Sequence, residues 1–129
     1  MKLLLDTQCW LWMHTDPKRL RSAHDLVADE ANELFLSAAS SWEIAIKYAL
    51  GRLPLPEPPA TWVPARLQAS NTTPVALEHA HVLQVAGLPM IHRDPFDRVL
   101  VAQAQVLRLP ILTSDPLLAR YDIETVRAG

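Results

Sequence analysis

Apolar residues fall in short bursts along this chain, and their spacing switches between two periods. Residues 2–5 form a brief apolar run ending at Asp6, whereas 7–13 carry Trp10, Leu11 and Met13 at helical spacing, so a strand followed by a helix is expected. Leu20, Ala23, Val27 and Ala31 line one face of a second predicted helix over 20–31. Residues 34–36 are too short and too apolar for anything but a buried strand. A third helix is predicted over 37–50, with Trp42, Ile44, Ala45, Ile46 and Ala49 apolar and Gly51 where a C-terminal stop belongs. Pro54, Pro56, Pro58 and Pro59 then impose a rigid, extended connector rather than a flexible linker. Weaker helical patterns follow over 61–69 and 77–86, the first compatible with Pro64 only if that proline sits in its first turn. Asp94-Pro95 reads as an N-cap and first-turn proline opening a helix to Leu107; a short strand over 110–113 ends at Ser114-Asp115, and a last strand is expected near 123–126. Alternation of this kind implies an α/β fold, with a mostly parallel sheet of about four or five short strands and helices on both faces.

Composition adds limits to this outline. A chain of 129 residues, half apolar and one fifth charged, suits one ordered domain over 1–129. The N-terminal residues lack the long apolar stretch of a signal peptide and no run approaches membrane-spanning length, so a soluble, cytoplasmic protein with no membrane partner is expected. Cys9 is alone, so no internal disulfide forms, and no Cys/His group has zinc-ligand spacing. A net charge of −2 argues against a protein that coats nucleic acid electrostatically. Carboxylates gathered around cations would, however, leave the working surface more positive than the bare count.

The positions of the acids carry the chemistry. Asp6 and Asp115 each follow a predicted strand, and open α/β sheets bind ligands outside the carboxyl ends of their strands. Glu43 and Asp97 lie in early turns of predicted helices that can reach the same rim. Two carboxylates about 4 Å apart repel by roughly 4 kcal/mol at an effective dielectric near 20, so four together must protonate or hold a cation. An all-oxygen ligand set suits Mg²⁺ or Mn²⁺ and, with positions left open for phosphate, phosphodiester chemistry. Each acid also has a structural reading. Ser40 to Glu43 fits a capping box, Asp97 gains from the helix dipole, and Asp6 and Asp115 suit N-caps.

Four segments in order resolve the choice: Leu3-Leu4-Leu5-Asp6-Thr7, the stretch from Ser37 to Lys47 around Trp42-Glu43-Ile44, His92-Arg93-Asp94-Pro95-Phe96-Asp97-Arg98 running into Val99 to Ala104, and Leu112-Thr113-Ser114-Asp115. With them the chain resembles the PIN-domain family, and within it the VapC-type toxins, over nearly all its length. The resemblance implies a three-layer PIN-like fold with Asp6, Glu43, Asp97 and Asp115 as the acidic, catalytic metal-binding quartet. It places the third helix start near Ser37, which puts Glu43 inside the helix and beyond reach of a capping box. It further implies metal-assisted hydrolysis of RNA, a homodimer, and inhibition by a small VapB-type antitoxin whose tail lies near the acids. Thr113 resembles a hydroxyl that supports the metal's water shell, and Thr7 is expected to orient Asp6 in a similar way. Many relatives carry His where this chain has Gln8, which is not one of the acids.

The remaining candidates stay open or fall away. Arg93 and Arg98 flank the acids, either to grip a substrate phosphate or to neutralise Asp94 and Asp97. Asp94 is read as a cap, His92 as a phosphate donor or a loop residue, and Trp42 and Trp62 as core or interface. Cys9 has no base spaced around it for thiol catalysis. A phosphoacceptor receiver needs adjacent acids after its first strand, and an aspartyl-phosphate phosphatase needs Asp at position 8; neither is present. The alternatives that survive are a catalytically silent PIN-fold binding module and the same nuclease chemistry on DNA.

Overall fold

The computed structural model describes all residues, Met1 to Gly129. Five strands form one parallel sheet: β1 (Lys2–Leu5), β2 (Glu33–Ser37), β3 (Thr72–Val75), β4 (Ile111–Thr113) and β5 (Thr125–Arg127), in the order β3-β2-β1-β4-β5. Six α-helices cover it: α1 (Thr7–Thr15), α2 (Ala23–Ala28), α3 (Ala38–Ala49), α4 (Pro59–Ala69), α5 (His79–Gln84) and α6 (Pro95–Leu107). The α/β class and the parallel sheet expected from the pattern are therefore present.

Strand alternation splits the apolar residues between the two faces. Leu3, Leu5, Leu34, Leu36 and Leu112 join Trp10, Leu20, Ile44 and Trp62 in one core, while Leu4 and Ile111 join Leu100, Val101, Leu118 and Tyr121 in the other. Both faces of a parallel sheet must be covered because its strands have no solvated side, and continuous runs such as Leu3-Leu4-Leu5 supply both. The chain builds outward from β1 to β2 and β3, then returns to β4 on the other flank. The strand order thus reverses between β1 and β4, the place where open α/β sheets leave a crevice.

Three elements depart from the pattern. The predicted helix over 20–31 is two pieces: a 3-10 turn at Pro17–Leu20 and α2, broken at Arg21, whose backbone has φ 52°. Leu20 and Ala23 are buried and Val27 is half-buried, shared between the two segments, whereas Ala31 lies beyond α2 and is exposed. Strand β3 was not foreseen. Its sequence Thr-Thr-Pro-Val is mostly polar and contains Pro74, which is tolerated because β3 is an edge strand with one side unpaired. Helix α4 begins at Pro59, so Pro64 lies in its interior and not in the first turn. The ring faces solvent, and burial of Trp62 and Val63 holds the helix where one hydrogen bond is lost.

Candidate active site

The register of the two central strands starts the site. Leu4 and Leu5 pair with Ile111 and Leu112, and the Asp6 amide donates to the Leu112 carbonyl at 3.0 Å, which brings Asp6 beside Thr113. The Thr113 hydroxyl donates to Oδ2 of Asp6, and the Cys9 amide donates to its Oδ1 at 2.7 Å. Asp6 is therefore the N-cap of α1 as well as a wall of the crevice; the two roles use different faces of one carboxylate. It is only 5% exposed, and burial pushes its carboxyl above the ordinary range despite both hydrogen bonds.

Glu43 reaches the same crevice from α3. Ser37 caps that helix by accepting from the Ala39 amide at 3.0 Å, so Glu43 is its sixth residue, too far along to bond back to the cap. It is buried, and its Oε2 accepts from Lys47 one turn later. That hydrogen bond, outweighing burial, holds the Lys47 ammonium above its usual range.

Asp97 and Asp115 form the open side. Asp97 is the third residue of α6, capped by Asp94 through the Phe96 amide at 2.8 Å, and Asp115 follows β4. Between them stands His92, with Nε2 at 2.9 Å from Asp115 Oδ2 and 3.1 Å from Asp97 Oδ2. The Asp94 amide donates to His92 Nδ1 at 3.1 Å. Nδ1 thus acts as an acceptor, the ring proton sits on Nε2, and His92 donates to the acids instead of offering them a lone pair. Burial first, then the neighbouring Asp94, pushes the Asp97 carboxyl up to about 7 against the opposing pull of His92. Asp6, Glu43, Asp97 and Asp115 all line one cleft of about 280 Å³, with Lys47 and Asp94 on its wall.

The supporting residues divide. Thr113 touches Asp6 and also accepts from the Asp115 amide at 3.0 Å, joining two acids. Thr7 does not orient Asp6: its hydroxyl donates to Ser40 at 2.9 Å, pinning α1 to α3. Arg98 turns away from the acids and donates to the Pro89 carbonyl at 2.9 Å and the Tyr121 hydroxyl at 3.3 Å. Tyr121 in turn accepts from the His92 amide at 2.8 Å, so Arg98 braces the loop that carries His92 and makes no ion pair with Asp94 or Asp97. Arg93 is exposed. Cys9 is fully buried, which pushes its thiol far up and leaves it inert. Sequence reasoning missed Lys47 altogether, although its four-residue spacing from Glu43 on a helix was a usable signal. It left His92 undecided because only the fold brings residue 92 against residue 115.

The family model of the PIN domain matches residues 3–124. The chain belongs to the PIN-domain family. This PIN domain is similar to Ribonuclease VapC16 of Mycobacterium tuberculosis, 54% identical over 56 residues, which span 43% of this chain and 40% of that relative. Its fold is that of solved structures described as VapBC2 from Rickettsia felis bound to a promoter DNA fragment (TM-score 0.74, 13% identity, all of both chains) and DNA-bound VapBC from Salmonella typhimurium (TM-score 0.68, 16% identity, 98% of both chains). VapBC-1 from nontypeable Haemophilus influenzae has the same fold, at a TM-score of 0.63 and 16% identity over 98% of both chains.

The donor set of this PIN domain fits a hard divalent cation. Its cleft offers carboxylate oxygens from four separate segments, and their crowding raises Asp97 through Asp94, Glu43 and Asp6 as well as through burial. One ligand atom each from His92, Asp97 and Asp115 lies within 4.8 Å of the others, so these two acids are close enough to share one ion. No helix is long and apolar enough to cross a membrane.

Proposed function

We propose that this PIN domain is a metal-dependent endoribonuclease, a single domain over 1–129 that acts in the cytoplasm as the toxin of a toxin–antitoxin pair. The observation that carries the reading is the meeting of Asp6, Glu43, Asp97 and Asp115 in one cleft at the strand-order reversal. The partial match to Ribonuclease VapC16 supports RNA as substrate, and the fold shared with VapBC structures supports a VapB-type antitoxin and a homodimer.

In this reading Asp6, Glu43, Asp97 and Asp115 hold Mg²⁺ or Mn²⁺ and are the catalytic residues. The bound cation supplies a water of lowered pKa and charge to stabilise the phosphorane-like transition state. The chain's own residues do the rest. Thr113 fixes which face of Asp6 meets the cleft, while Thr7 keeps α1 and α3 together so that Asp6 and Glu43 stay facing. His92 sets the separation of Asp97 and Asp115 through its Nε2–H. Lys47 offsets the charge of Glu43 and places an ammonium where a substrate phosphate enters, with Arg93 exposed nearby in sequence to Asp97 and Arg98 stiffening their common loop.

The test is cleavage of labelled total RNA by antitoxin-free protein, wild type beside Asp97→Asn, with Mg²⁺ or Mn²⁺ and with chelator. Discrete products from metal-loaded wild type alone are expected. Cleavage that persists in chelator would sink the metal mechanism, and folded protein that cuts nothing would leave a silent binding module.

A further inference from the structure

The cleft has two dissimilar flanks. On the α3 side the surface is apolar: Trp42, 59% exposed, meets Phe96 edge to face at 5.0 Å, and Ile46 and Leu50 continue the stripe. On the β4 side Ser114 and Asp115 are shared between the cleft and an adjoining hollow of about 240 Å³ that is also lined by Arg127. Beyond it lies Gly129, where a Cβ would make ordinary van der Waals contact with Ser114 Cβ at 3.5 Å and the Arg19 carbonyl at 3.6 Å. Gly129 in turn borders a further hollow of about 340 Å³ between Trp12, Lys18, Arg19 and Arg21. The two hollows thus continue the cleft along one rim, and that rim is basic.

One of its cations is held in place and the others are free of ion pairs. The Arg19 guanidinium lies over the Trp12 ring, 5.7 Å from its centroid, and is steadied by a 3.5 Å contact with Asp16. Lys18, Arg21 and Arg127 are exposed and make no ion pair within 4 Å. Arg21 also occupies φ 52°, ψ −121°, a backbone region in which only glycine is at ease. Nothing in the packing requires an arginine there, since its side chain is exposed. Closer to the acids, Lys47 bonds Glu43 and Arg98 bonds the Pro89 carbonyl, which leaves Arg93 as the exposed cation there. A polyanion entering a cleft of four carboxylates needs positive charge outside it, and this rim is where the chain supplies it.

We propose that a single RNA strand leaves the cleft past Ser114 and Arg127 and rests its phosphates on Lys18, Arg19 and Arg21, with Trp12 holding Arg19 in place. The inference rests on the nuclease reading and adds the route of the substrate. Recognition is by phosphate charge, with the guanidinium plane of Arg19 offering a surface for a base. Glycine at position 21 removes the cation and relaxes the strained backbone together.

The experiment measures binding of a fluorescein-labelled oligouridylate by anisotropy in Mg²⁺ across a salt series, with the full chain carrying Asp97→Asn so that the strand stays intact. Added Arg21→Gly is expected to raise the melting temperature while weakening RNA binding, and Lys18→Gln with Arg21→Gly to weaken it about tenfold. Each lost phosphate contact removes about 0.7 from the slope of log affinity against log salt, so the pair lowers it by about 1.4. A more stable Arg21→Gly protein with unchanged affinity and slope overturns the route and leaves Arg21 as strain alone. Polyglutamate binding that falls in these variants while oligouridylate binding does not assigns the rim to an acidic polypeptide instead, which also overturns it. Wild type that cuts no RNA at all defeats the nuclease reading itself, a result distinct from either.

Discussion

Asp6 and Asp115 close neighbouring strands, yet the protein holds their carboxylates in opposite ways. Asp6 is buried, with one oxygen bonded to the Cys9 amide and the other to Thr113. Asp115 is half-buried; one oxygen steadies its own turn through the Leu117 amide, and the other meets His92, which also touches Asp97. One wall of the cleft is thus set by sheet register and backbone donors, and the other by a side chain on a loop. The difference teaches that the site has a rigid half and an adjustable half, with the substrate side open.

The largest effect expected from this contrast is on catalysis by the rigid wall. Asp6→Asn keeps the N-cap and the shape but removes the charge, so RNA cleavage is expected to fall about a thousandfold or more, read as single-turnover rates in Mn²⁺. Cleavage within tenfold of wild type would break the assignment of Asp6. Next comes metal linkage. Mg²⁺ or Mn²⁺ at 100 times its dissociation constant should stabilise the fold by about 2.7 kcal/mol, reversed by chelator, and calorimetric melts that ignore the ion would contradict the shared site.

Stability then separates the two walls. Thr113→Val leaves a buried oxygen of Asp6 without its donor and is expected to cost about 1–3 kcal/mol in urea denaturation. His92→Gln acts on partly exposed acids and is expected to cost less than about 1 kcal/mol. Equal costs would erase the distinction between rigid and adjustable halves.

The smallest effect is a pH dependence of the metal-free protein. The Asp97 carboxyl is raised from 3.8 to about 7, so the folded state binds its proton more tightly than the unfolded state. That contribution to stability is complete below about pH 4 and is lost as pH rises through 7. Asp97→Asn should flatten this part of the melting profile in chelator, and an unaltered slope would show that the crowding felt by Asp97 is relieved by solvent.

Much of this was legible in the chain itself. Runs such as Leu3-Leu4-Leu5 specify strands buried on both faces, Ser37 and Asp94 with Pro95 specify helix starts, and the order of four short acidic segments specifies the family. These are local signals, carried by residues within a few positions of one another. Strand β3 escaped because its place at the sheet edge, not its own composition, permits Pro74; the brace made by Arg98 escaped because its sequence neighbours are acids while its spatial neighbours are the Pro89 carbonyl and Tyr121.

Local patterning, then, determined most of the element types, the α/β class and the family, because periodicity, capping and short motifs act over single turns and strands. Only the tertiary structure decided that Asp6 bonds Thr113 across 107 positions, that His92 stands between Asp97 and Asp115, and that Thr7 serves Ser40. Those contacts depend on parallel register and on where the strand order reverses, and both are set by the packing of two cores against one sheet.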